Sequence, residues 1–268
     1  MNATQDLRAQ VQGRQWYHTL ELAPGVLTPG WFDTRALATE LPLPASLEGK
    51  RCLDVGTFDG FWAFEMERRG AAEVLAVDVL DPLAWDWPHG ASPEVIQGLE
   101  DRKQGGAGFQ IASAALGSKV RYQERSIYEL DPDELGRFDF VYVGSLLLHL
   151  RDPVRALERV RAVCQGQMLS VDAHDVLMTA LFPRRPITTL DGIGRPWWWL
   201  PNVAALRRMI EVAGFALAAE PVRLRIPRGA GQRRVPPTLP ALRSRVGRRQ
   251  LLAGWRGDPH VAILARPC

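Results

Sequence analysis

The run Asp54-Val55-Gly56-Thr57-Phe58-Asp59-Gly60 holds the residues of this chain best suited to cradle a ligand. It follows the apolar stretch RCLDV (51–55) and precedes Phe61, Trp62, Phe64 and Met66, which fall on one helical face. The glycines therefore lie where a strand passes into a helix. Gly56 and Gly60 permit a tight turn against which a ligand can approach the backbone closely. The helix start behind them offers free N–H groups and the positive end of the helix dipole. Asp78 ends the next apolar run, EVLAVDV (73–79), about twenty residues further on, where an acid accepts hydrogen bonds from ribose hydroxyls. Glycine turn and acid together predict an adenosine-type ligand, with Val79 beside it.

Other residues with chemistry to offer cluster in the loops. A neutral hydroxyl substrate benefits from a histidine titrating near neutrality. His149 follows the fourth strand pattern, and His174 follows the fifth in Asp172-Ala173-His174-Asp175. His18 lies near the N-terminus. His149 and His174 are the catalytic candidates, each with structural hydrogen bonding as the plain alternative, while His89 and His260 join no evident constellation. The spacing of Asp172, His174 and Asp175 matches no metal-ligand set, so no metal is expected. Trp16, Tyr17, Trp31, Trp197, Trp198 and Trp199 are expected to contact substrate with His18; covering the core is the competing role for each ring. Three successive tryptophans cannot all face one way on regular structure, so at least one is assigned to the pocket.

These residues need a scaffold. Apolar runs at 51–55, 73–79, 119–124, 138–144 and 167–172 read as strands, with helical patterns between them. Asp152-Pro153 and Asn202 start two of the helices. Val154, Leu157, Val160 and Cys164 mark a face of the first, stopped at Gly166; FALAAEPVRLRI (215–226) and HVAILAR (260–266) read as a closing antiparallel pair. The prediction is an α/β fold: a doubly wound, Rossmann-like, seven-stranded sheet with a C-terminal antiparallel hairpin. Residues 1–50 are expected to form an N-terminal lid or arm, loop-rich between 16 and 33, and residues 51–268 the ligand-binding domain. Within it 227–256 reads as a basic loop insertion, either solvated or in contact with phosphate.

The chain has 268 residues, enough to bury a full core, and its 46% hydrophobic and 24% charged shares are those of a soluble globular protein. Its three cysteines are dispersed, which argues for a reducing compartment and against zinc. With no signal-like or membrane-spanning run, a cytoplasmic protein is expected. Lysine occurs only at 50, 103 and 119, and a net charge of +3 is too small to argue for nucleic acid.

Leu53 through Gly60 resembles motif I of class I S-adenosylmethionine (SAM)-dependent methyltransferases, and Asp78 matches that family's ribose-binding acid. Ser126-Ile127-Tyr128 stands where the family contacts adenine, with Ser126 in place of the usual acid. Val143-Gly144-Ser145 matches the wall beneath the methionine part, and His149 with Pro153 resembles its H-x-x-x-P run. The likeness covers about residues 50–225; the dinucleotide fingerprint fits worse, because its three-glycine spacing is absent. Trp16-Tyr17-His18, Thr28-Pro29-Gly30 and the Trp-x-Pro-Asn run at 199–202 are similar to the group containing the tRNA wobble-uridine carboxymethyltransferase and related bacterial biosynthetic enzymes. That enzyme holds a carboxylated SAM partly by a tyrosine where this chain has Leu148, so ordinary SAM is the donor the resemblance implies.

The resemblance implies transfer of a methyl group from SAM; the tryptophans favour a small, planar or apolar acceptor, and O-methylation in specialised metabolism is the first reading. A tRNA-modifying enzyme and a non-catalytic SAM-binding module are the alternatives, and a homodimer is compatible with the sequence.

Overall fold

The computed structural model describes residues 3–190, 197–232, 238–243 and 256–268. Eight strands make the central sheet: β1 (Arg51–Val55), β2 (Glu73–Asp78), β3 (Arg121–Glu124), β4 (Phe138–Gly144), β5 (Cys164–Ala173), β6 (Phe215–Leu217), β7 (Val222–Ile226) and β8 (Asp258–Pro267). Their order is β6-β8-β5-β4-β1-β2-β3, with β7 also paired to β8. Strands β1 to β5 run parallel, and β8 lies antiparallel to β5, β6 and β7. Val55 pairs with Val77 on one side and Val143 on the other. This register brings Gly56, Asp78 and Gly144 out at one sheet edge, where open α/β sheets bind ligands.

Each sheet face is covered. Helices α2 (Phe61–Arg68) and α4 (Ala107–Leu116) bury Trp62, Phe64, Met66, Phe109 and Ala112 on one face, together with Trp16 and Phe32 from the N-terminal arm. On the other, α5 (Pro153–Val163) and α6 (Val203–Val212) bury Ala156, Leu157, Val160, Leu206 and Ile210. The doubly wound architecture read from the strand–helix alternation is the one observed. No helix among the described residues is long and apolar enough to cross a membrane.

Several local expectations change. Helix α5 ends at Val163; Cys164 already belongs to β5, and Gly166 lies inside that strand rather than stopping a helix. A side chain at Gly166 would place its Cβ 2.1 Å from the Asp139 carbonyl oxygen, so glycine is needed there for close strand approach. The outer strand at 215–226 is split into β6 and β7, which share one side of β8; Pro221 lies between them and cannot donate to a ladder. Helix α3 (Pro93–Lys103) was not expected, because it buries only Leu99 and Lys103 and so shows little apolar period. Its Ser92 cap and Pro93 were the available signal.

The stretch 16–33 is more ordered than a loop. Trp16–His18 pairs in parallel with Gly30–Phe32, and Glu21–Ala23 forms a hairpin with Val26–Leu27. Part of the basic insertion closes over this arm: Gly229 N donates to Trp31 O at 2.8 Å and Gly231 N to Gly30 O at 2.9 Å. Arg233, Arg234, Arg248 and Arg249 lie outside the described residues.

Candidate active site

The turn after β1 is built by buried acids. Asp54 Oδ2 accepts from Thr57 Oγ1 at 2.6 Å and from Ala63 N at 3.1 Å, tying the strand to α2. Burial pushes the Asp54 carboxyl up to about 7. Gly56 has a φ of 76°, and a Cβ there would meet Leu146 at 3.2 Å. Phe58 is held left-handed at 55°, a costly conformation for a bulky residue. Its N–H donates to Asp78 Oδ2 at 2.8 Å, and the Tyr17 ring stacks on it at 4.7 Å. Asp78 also accepts from Val79 N at 2.8 Å and forms a buried ion pair with Lys103, whose ammonium lies 4.7 Å from the Phe58 ring centroid.

A cavity of about 450 Å³ opens over this edge, within the range of small-molecule sites. Of the residues proposed from the sequence to hold the donor, Gly56, Phe58, Asp78, Val79, Ser126, Ile127, Gly144 and Ser145 line it. Ser126 caps the short helix Ile127–Glu129 in a reciprocal box with Glu129, which fixes the wall beside Ile127. Asp54, Thr57, Asp59 and Gly60 stand behind the lining and shape the turn. Asp59 is turned toward the arm: Oδ2 accepts from Tyr17 N at 2.7 Å and His18 N at 3.0 Å, while Oδ1 pairs with the His18 ring.

The rest of the lining comes from further along the chain. Tyr17, Trp31, His149 and Trp197 reach the cavity, joined by Trp85 and Trp87 from the loop after β2. The other expected contacts go elsewhere, each for a hydrogen-bonding reason. Trp16 is buried in the core with its Nε1 on Val11 O at 3.0 Å, and His18 is held by Asp59. Trp198 donates to Asp86 O, and Trp199 to Arg151 O at 3.1 Å. His174 is buried away from the cavity. The Thr179 hydroxyl donates to Asp175 O, so it accepts from His174 Nδ1 at 3.0 Å, and burial lowers the imidazole pKa. Asp172 is also structural, accepting from Leu146 N and Leu147 N at 3.0 Å each.

His260 is the histidine that the sequence did not single out. It enters from β8, the last strand, and lines the cavity. Its Nδ1 lies 3.1 Å from the Asp258 carbonyl oxygen, which can only accept; the proton therefore sits on Nδ1 and leaves Nε2 as an acceptor. Ser145 Oγ lies 3.1 Å from that Nε2, so its hydroxyl donates to the ring, and the Tyr17 phenol lies on the same cavity wall. Burial keeps the Tyr17 phenol protonated, well above its ordinary range. Ser145 sits at a φ of 51°, a strained conformation for a non-glycine residue. The result is a hydroxyl aimed at Nε2 of His260, with the Tyr17 phenol on the same wall.

A glycine cradle, a ribose-type acid and an apolar adenine wall at the carboxyl edge of this sheet fit SAM and define a SAM-dependent methyltransferase domain. The chain belongs to the methyltransferase domain family, whose model matches residues 32–220. Among curated relatives, a tRNA U34 carboxymethyltransferase from Campylobacter hominis is 26% identical over 175 residues, covering 63% of this chain and 51% of the relative. Another of that name from Alcanivorax borkumensis is 29% identical over 178 residues, covering 65% and 47% respectively. The chain thus spans about half the length of the curated relatives it matches. Among solved structures, the N-terminal domain of EvdMO1, with S-adenosylhomocysteine (SAH) and D-fucose present, superposes with a TM-score of 0.57 at 16% identity, covering 100% of this chain and 98% of that one. A SAM-dependent methyltransferase from Listeria monocytogenes, described as putative in its structure's name, gives 0.51 at 14%, covering 87% and 97%. Both likenesses concern the fold.

Proposed function

We propose that the protein transfers the methyl group of SAM to a hydroxyl of a small, planar or apolar acceptor of the kind found in specialised metabolism. The observation that carries this reading is the Ser145–His260 pair beside the donor edge. Bound SAM supplies an electrophilic methyl on a sulfonium. Gly56, Asp78, Val79, Ser126, Ile127 and Gly144 are the residues that would hold it. The tryptophan-lined remainder of the cavity orients the acceptor and excludes water, which lowers the cost of an in-line displacement. As the acceptor oxygen takes the methyl, its proton passes to His260 Nε2 through Ser145, and the Asp258 carbonyl stabilises the imidazolium through Nδ1–H. His149, the other histidine on the cavity wall, lies against Trp85 with ring centroids 6.0 Å apart, a contact that favours a packing role.

The curated relatives are named for action on tRNA. An RNA acceptor would bind through phosphates and lose affinity steeply as salt rises. The test is SAH formation with a panel of hydroxylated small molecules and with tRNA. A small-molecule O-methyltransferase releases SAH with at least one hydroxylated compound, and His260→Ala lowers kcat by about 100-fold or more with SAH affinity unchanged. Tight, salt-sensitive tRNA binding with turnover on tRNA alone, or a His260→Ala variant as fast as wild type, would overturn the reading.

A further inference from the structure

Arg102 lies near the end of α3 on the cavity wall, and its charge is incompletely answered. Its Nε donates to Gly98 O at 2.8 Å, and its guanidinium carbon lies 4.7 Å from the Trp31 ring centroid. Neither terminal nitrogen meets an acceptor, and no carboxylate pairs with it among the described residues. Of the other charges around the cavity, Lys103 holds Asp78, Arg125 holds Glu134 at 2.7 Å, Asp86 accepts from Tyr128 Oη at 2.7 Å, and Asp101 is exposed. Burial lowers the Arg102 pKa, so the cation is largely held out of water, with the exposed Asp101 acting on it only from a distance. Such a group is costly unless something pairs with it. A guanidinium lying over an aromatic ring presents its remaining N–H pairs edgewise, a fork that matches a carboxylate.

A second observation points the same way. Gln232, on the same cavity wall, has a buried side-chain oxygen with no hydrogen-bond partner among the described residues. Gly229 and Gly231 fix its segment to Gly30 and Trp31, the strand that carries the ring beneath Arg102. The cavity wall thus presents unused donors at Arg102 and an unused acceptor at Gln232. Tyr17, which lies within electrostatic reach of Arg102, shares the cavity wall with Ser145 and His260.

We propose that the acceptor is a hydroxylated carboxylic acid, its carboxylate bound by Arg102 and the hydroxyl to be methylated turned toward Tyr17, Ser145 and His260. This rests on the methyltransfer reading above and adds the acceptor's chemical class. The cavity's limited volume and its tryptophans favour a compact hydroxyaryl acid over a long or highly charged one.

The experiment uses the whole protein saturated with SAH. Binding is measured by calorimetry for 3-hydroxybenzoate, 4-hydroxybenzoate and 4-hydroxycinnamate, each beside its primary amide. At least one acid is expected to bind about 10-fold or more tightly than its amide, the scale of charge-assisted hydrogen bonds. Arg102→Met is expected to erase that preference, and Arg102→Lys to retain part of it, with SAH affinity in both within about 3-fold of wild type. The proposal is overturned if no acid is preferred, or if the preference survives Arg102→Met. It is also overturned if Arg102→Met weakens SAH itself by 10-fold or more, since Arg102 would then serve the donor's own carboxylate. Failure of wild-type protein to bind SAH at all is a separate outcome, which removes the methyltransfer reading and this proposal with it.

Discussion

Replacing Asp54 by asparagine isolates the effect of holding a carboxylate beneath the glycine turn. Asp54 is 1% exposed, and burial raises its carboxyl from 3.8 to about 7. Roughly three pH units between the unfolded and folded values correspond to about 4 kcal/mol. The fold favours the protonated acid, so the stability this provides is complete below the unfolded pKa and lost as pH rises through the folded one. Between pH 5 and pH 8 the part lost is about 3 kcal/mol. Both local bonds, from Thr57 Oγ1 and Ala63 N, fall on the same oxygen, Oδ2. A single amide oxygen therefore preserves them, while the titrating proton is gone. Chemical unfolding of both proteins at pH 5, 6, 7 and 8 gives the difference in stability at each pH, in which the titrations shared by the two cancel. Relative to Asp54→Asn, wild type is expected to lose about 3 kcal/mol across that range. A difference constant to within about 1 kcal/mol would refute the claim that burial of this acid sets the pH dependence.

Asn202, fully buried, is expected to be the most sensitive cap: its Oδ1 accepts from Ala205 N at 2.8 Å and Ile187 N at 3.1 Å, and its Nδ2 donates to Phe182 O and Arg185 O at 2.9 Å. Asn202→Ala strands these backbone groups and should cost about 3 kcal/mol in chemical denaturation; a loss below about 1 kcal/mol would show that water replaces the amide. Residues 16–33 are proposed to act as a lid, moored to the core through Asp59. Their backbone hydrogens should exchange faster in free protein than with SAH and acceptor bound, and equal protection in the two states would make the arm a fixed wall.

The glycine-turn half of the candidate site was legible because it is local. Gly56, Gly60 and Asp78 lie at the ends of adjacent strands, and the period of apolar residues in 51–55 and 73–79 sets where those strands stop. Once parallel pairing is assumed, the register follows and the ligand edge with it. The caps at Asp152 and Asn202 were equally local, since each side chain bonds a backbone group within three residues. The acceptor half depends on contacts that no spacing encodes. Ser145 and His260 are 115 residues apart and meet only because β8 inserts antiparallel beside β5. His174 looked more suitable than His260 in sequence, but its ring turns to Thr179. Among the three consecutive tryptophans, only Trp197 reaches the cavity; its neighbours donate to the carbonyls of Asp86 and Arg151. Lys103 and Arg102 lie on a helix too polar to show an apolar period, so their positions came from tertiary packing alone. Short-range patterning thus determined the fold class and pointed to the candidate donor edge, while the packing of distant segments decided which side chains line the rest of the cavity.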